Sequence, residues 1–90
     1  MGTRADFYVG RDERMEWIGS IAMDGYPSGE PDFVILATAE DEYRRRVAEL
    51  IHGCGHGTRV DQGWPWPWTD SRTTDYSYAF DSGKVWASCF

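Results

Sequence analysis

Residues 4–9 alternate, with Ala5, Phe7 and Val9 on one side and Arg4, Asp6 and Tyr8 on the other, the period-two pattern of a strand with one buried face. The polar stretch Gly10-Arg11-Asp12-Glu13 interrupts it. Beyond that, Met15, Trp17, Gly19 and Ile21 repeat every second residue against Glu16, Ile18, Ser20 and Ala22, so the chain opens with a predicted β-hairpin. Gly25, Pro27, Gly29 and Pro31 exclude a regular element from 24–32 and predict a loop that exposes Tyr26. Phe33-Val34-Ile35-Leu36 is apolar throughout and too short for periodicity to classify; after Asp32, a short helical turn is the expectation. Ala39, Tyr43, Val47, Leu50 and Ile51 then form one apolar stripe at helical spacing. Thr38 and Asp41 approximate a capping box at the start of this main helix, and Gly53 marks its stop. The acids of its first turn, Glu40, Asp41 and Glu42, each have an arginine four residues on, Arg44, Arg45 and Arg46.

The prolines of Trp64-Pro65-Trp66-Pro67-Trp68 exclude helix and the middle of a sheet, which leaves an extended, polyproline-like course. Tyr76, Tyr78 and Phe80 alternate, Asp81-Ser82-Gly83 reads as a tight turn, and Val85, Ala87 and Cys89 alternate with Trp86, Ser88 and Phe90. That is a second hairpin. The expected fold is α+β: one domain over 1–90, element order ββαββ, with a four-stranded, mainly antiparallel sheet and the helix packed on one face.

At 41% hydrophobic and 27% charged residues, with five Trp, five Tyr and four Phe, the chain has the composition of a folded globule with a core rich in large rings. No apolar run approaches the ~20 residues of a membrane span, and Met1–Asp6 lacks the basic-then-apolar start of a signal peptide. The expected location is the cytoplasm, where Cys54 and Cys89 would stay thiols. A net charge of −6 opposes direct binding to a phosphate backbone and favours partners with a basic surface.

His52, Cys54 and His56 are the one cluster of metal-ligand types, but a structural zinc site needs a fourth ligand at a familiar spacing. A flexible Gly-rich exit from the helix is the simpler reading, and no metal or cofactor is expected. No phosphate-binding glycine loop, His-Glu-x-x-His or nucleophile-elbow pattern occurs, so no enzymatic activity is expected. Trp64, Trp66 and Trp68 have two readings: rings that complete the core beneath a loop, or rigid aromatic anchors for a partner. Asp61, Asp70 and Asp75 around them oppose base stacking.

Gly2–Arg11, Glu16-Trp17-Ile18-Gly19-Ser20-Ile21-Ala22, Asp24-Gly25-Tyr26-Pro27, and Gly63–Trp68 through Asp70–Tyr76 together resemble a group of small proteins encoded by bacteriophages and prophages. The resemblance implies a viral setting, in which small acidic one-domain proteins act as inhibitors of host defence, anti-CRISPR proteins among them. It assigns no ligand or catalytic residue. The resulting expectation is a non-enzymatic inhibitor that meets a host protein or ribonucleoprotein complex through Tyr26, Glu40, Asp41, Glu42, Trp64, Trp66, Trp68 and Asp70. The alternatives are a self-associating phage accessory protein, such as a homodimer, and a small zinc-binding protein using His52, Cys54 and His56.

Overall fold

Strand β1, Ala5–Val9, pairs antiparallel with β2, Glu16–Ile21, but the register slips between Phe7, opposite Gly19, and Tyr8, opposite Trp17. Ile18 is the extra residue of a β-bulge. The slip breaks the alternation of Met15, Trp17, Gly19 and Ile21: Trp17 shares a face with Tyr8, whereas Gly19 and Ile21 share the opposite face with Phe7 and Ala5. These strands belong to a computed structural model that describes residues 3–11, 15–69, 71 and 74–89. The expected turn residues Asp12 and Glu13, and the site candidate Asp70, lie outside the described residues.

Among the described residues the sheet has five strands in the order β3-β2-β1-β4-β5. Strands β4, Tyr76–Asp81, and β5, Lys84–Cys89, form the second hairpin around Ser82 and Gly83, whose φ values of 54° and 78° are those of a left-handed two-residue turn. Two corrections to the expected sheet follow. The central pair β1·β4 is parallel, so the sheet is mixed; the chain crosses one face as a helix and re-enters in its original direction. In addition, Gly57–Thr58 adds a short strand, β3, beside Ser20 and Ile21. A side chain at Gly57 would sit 2.7 Å from the Ile51 carbonyl oxygen, so only glycine lets this strand lie so close to the helix end.

Helix α1, Glu40–Gly53, buries Tyr43, Val47, Leu50 and Ile51, while Ala39 at the end of the predicted stripe is exposed. Its N-cap is Ala39 without a side-chain cap, which corrects the capping box expected from Thr38. Glu42 instead reaches back and accepts the Thr38 N–H at 2.9 Å. The residues ahead of the helix make a 3-10 turn at Glu30–Phe33, a little earlier than the apolar run predicted. Arg46 fastens that turn to the helix, donating to the Phe33 carbonyl at 2.5 Å and to Glu42 at 2.9 Å. The core gathers Ala5, Phe7, Ile21, Val34, Tyr43, Val47, Ile51, Tyr78 and Phe80 between sheet and helix. Among the described residues no helix is long and apolar enough to cross a membrane.

All five residues of β1 are buried, which corrects the single buried face expected of it. The reason lies on the side of the sheet away from the helix, where residues 64–69 with Ser71 and Thr74 fold over the strand.

Candidate functional site

Pro65 and Pro67 cannot donate to a ladder, so Trp64–Trp68 crosses the sheet rather than joining it. Its three indoles turn their N–H groups inward: Trp64 to the Trp68 carbonyl at 2.5 Å, Trp66 to Asp6 Oδ1 at 2.6 Å, and Trp68 to Thr74 Oγ1 at 2.9 Å. Trp66 and Trp68 stack at 5.5 Å, Trp64 meets Trp17 edge-on at 5.2 Å, and the Arg4 guanidinium lies 5.0 Å from the centre of Trp68. All three rings are half-buried. They form a cover whose polar groups are satisfied beneath it and whose outer edges still meet solvent.

Under the cover lies Asp6, with no exposed surface. Oδ1 accepts from Ser20 at 2.5 Å as well as from Trp66, and Oδ2 accepts from Ser71 at 2.7 Å. Ser71 in turn shares a hydrogen with Tyr8 at 2.5 Å, and Trp17 donates to Ser20 at 3.0 Å. A buried carboxyl group is tolerable when donors of fixed geometry surround it, and each oxygen of Asp6 already has one. The node ties β1, β2 and the tryptophan segment together. Sequence reasoning missed it, because an acid alternating with apolar residues in a strand carries the signature of a solvent-facing position.

A second grouping forms at the opposite end of β1. Arg44 bridges Glu16 at 2.9 Å and Glu40 at 3.0 Å, so β2 contributes a carboxylate to the helix start. Glu40 also lines a hollow of about 230 Å³ with Val9, Gly10, Phe80, Asp81 and Ser82. Asp41 is exposed, and Glu42 pairs with Arg46 at 2.9 Å. The expected Asp41–Arg45 pair is replaced by Arg45–Glu49 at 3.9 Å. A hydrogen bond from Arg44 holds the Glu16 carboxyl below its ordinary range, and the Thr38 N–H does the same for Glu42. Glu16, Glu40, Asp41, Glu42 and Asp81 thus share one end of the molecule with Arg44 and Arg46, and carboxylates outnumber guanidinium groups there. Glu16 and Asp81 carried no sequence signal for this site, since only the pairing of strands brings them to the helix N-terminus.

Tyr26 is 39% exposed, but it lies with Gly25 beside Thr3 at the start of β1, separated from the acidic end by the length of that strand, roughly 13 Å. The structure therefore distributes the candidate residues over three places: Tyr26 at one end, the acids at the other, and the tryptophans across the sheet. His56 Nδ1 accepts the Ala22 N–H at 3.2 Å, and Cys54 lies 3.9 Å from the Ile51 carbonyl. Among the described residues no three His, Cys, Asp or Glu side chains are grouped to hold a metal ion. The described residues thus form a mixed-sheet α+β fold with one α-helix and a tryptophan cover. No family model matches the chain, and no significant match is found among curated proteins or solved structures.

Proposed function

We propose that the protein acts by binding rather than catalysis, as a phage-type inhibitor whose acidic end seats on the basic surface of a host nucleic-acid-handling complex. A CRISPR surveillance complex is the concrete candidate. The observation that carries this reading is the joining of Glu16, Glu40, Asp41 and Asp81 at one exposed end, where Arg44 bridges only two of them. Lysine and arginine side chains that grip phosphate would meet carboxylates there instead. The viral setting rests on the sequence resemblance alone. The half-buried tryptophans add aromatic edges whose loss would speed dissociation rather than slow association.

The test begins with capture from host lysate at low salt and identification of what is retained. Association of the retained complex is then followed with the protein and with a Glu40→Lys, Asp41→Lys, Glu42→Lys variant whose fold is verified by circular dichroism. The expected result is a nucleic-acid-binding partner whose association the triple reversal slows by about tenfold or more at low salt. Wild-type association by the folded variant, or retention of no nucleic-acid-binding protein, overturns the reading.

A further inference from the structure

Strand β5 borders the sheet, so among the described residues one side of its backbone has no neighbouring strand. Asp81 and Lys84 close the two-residue turn, and along an antiparallel ladder hydrogen-bonded and non-hydrogen-bonded pairs alternate. Lys84, Trp86 and Ser88 therefore bond inward to β4, while Val85 and Ala87 turn N–H and C=O away from the sheet. The side chains of Lys84, Trp86 and Ser88 share the face opposite the helix. Trp86 is 41% exposed and carries the Arg11 guanidinium 4.0 Å and the Lys84 ammonium 5.6 Å from its ring centre. Arg4, Arg44, Arg45, Arg46 and Arg59 each pair with a carboxylate. Arg11 and Lys84 form no such pair among the described residues, although Asp81 stands across the ladder from Lys84. Beside the indole runs a groove of about 280 Å³ walled by Arg11, Met15, Ser77, Ala79 and Ser88.

We infer that this border takes an extended acidic peptide segment of a partner protein as a sixth strand. Its backbone pairs with Val85 and Ala87, an apolar side chain rests in the groove against Trp86 and Met15, and flanking carboxylates reach Arg11 and Lys84. A second copy of this chain is the poorer occupant. Antiparallel self-pairing through Val85 and Ala87 sets the two Trp86 rings side by side and collects two guanidinium and two ammonium groups around them. Strand β5 itself, Lys-Val-Trp-Ala-Ser-Cys, brings no carboxylate to offset them. The net charge of −6 does not exclude an acidic ligand here, because at 0.15 M salt the screening length is about 8 Å and the groups beside the strand dominate. This border starts beside the acidic end, where Lys84 stands opposite Asp81, and runs away from it along β5; its occupant has the opposite charge.

The probe is a synthetic peptide of about nine residues, enough to span one strand, with Glu, Val and Glu at successive alternate positions and Thr between them, so that the apolar side chain and the flanking carboxylates lie on one face. Its Lys counterpart and an acidic version N-methylated along the pairing edge serve as comparisons. Binding is read at about 0.15 M salt from indole fluorescence and from the amide resonances of Val85 and Ala87. The acidic peptide is expected to shift both amides, the Lys peptide to bind about tenfold or more weakly, and N-methylation to abolish binding. Arg11→Ala and Lys84→Ala each weaken binding up to about fivefold, and Trp86→Ala by about thirtyfold. These side chains are exposed, so the variants keep the fold, as circular dichroism verifies. Equal binding of the acidic and Lys peptides, no binding at millimolar peptide, or indifference to Trp86→Ala overturns the inference. So does a concentration-dependent dimer that Trp86→Ala dissolves, which assigns the border to a second copy.

Discussion

A carboxyl group without exposed surface needs its acceptors filled, and Asp6 fills them with Ser20, Trp66 and Ser71. These three donors come from β2 and from the segment that crosses the sheet, so one side chain fixes both to β1. Asp6→Ala leaves the three donors facing one another in a closed space and is expected to cost roughly 3 kcal/mol or more, measured as a drop in the urea midpoint. Asp6→Asn also destabilises, because its amide NH2 meets donors where an acceptor is needed. Trp66→Phe keeps an aromatic ring but a smaller one and removes one donor, and costs about 1 kcal/mol or more. An Asp6→Ala midpoint equal to wild type would show that the node is not what holds the cover. Tyr43 is the counterpart on the helix side: burial pushes its hydroxyl far above the ordinary value of 10.0, and the group stays protonated, with the Tyr78 carbonyl 3.3 Å away.

Among the elements, β2 and α1 depend on each other through Ile51. The bulge at Ile18 gives Gly19 a φ of 152°, and an added Cβ there would overlap Ile51 Cδ1. Gly57 also lies against Ile51, close to its carbonyl oxygen, so two glycines make room for the last turn of the helix. Gly19→Ala is expected to cost about 2 kcal/mol or more, from overpacking and from a backbone conformation unfavourable to a side chain. Val47, 1% exposed midway along the helix, gives the harsher test. Val47→Asp buries an unpaired charge and removes more than about 4 kcal/mol, comparable with the whole stability of a domain this small. Thermal unfolding followed by circular dichroism checks both, and a melting temperature unchanged in either variant contradicts the packing described.

At the scale of the molecule, charge is arranged around the sheet. Carboxylates meet Arg44 and Arg46 on the helix side, whereas Arg11 and Lys84 rest on Trp86 on the other. The paired carboxylates also set the acid response. Arg44 lowers Glu16 and the Thr38 N–H lowers Glu42, both from 4.5, and Arg59 lowers Asp61 from 3.8. Groups that ionise more readily folded than unfolded stabilise the fold fully above the unfolded value and lose that contribution as pH falls through the folded one. The urea midpoint should therefore be level near neutrality and decline as pH drops below about 4.5. Glu42→Gln should flatten part of that decline, and molar salt should weaken it. A midpoint that rises on acidification would contradict these assignments.

The sequence by itself determined the local pieces. Alternation defined both hairpins, Ser82-Gly83 supplied the second turn, the stripe from Tyr43 to Ile51 marked the helix, and the prolines kept Trp64–Trp68 out of the ladder. Each of these signals is carried by residues a few positions apart, within reach of backbone geometry and side-chain direction. Of the acidic end, the sequence held Glu40, Asp41 and Glu42 because they are consecutive, but not Glu16 or Asp81, which strand pairing brings to them. The bulge at Ile18 and the strand at Gly57–Thr58 answer to Ile51, more than thirty and six or so positions away respectively, and no local period records them. The parallel pairing of β1 with β4 and the burial of Asp6 likewise belong to tertiary structure alone. An alternating strand looks the same whether its polar face meets water or a tryptophan cover contributed from sixty residues further along the chain, because burial is a property of what the chain folds against.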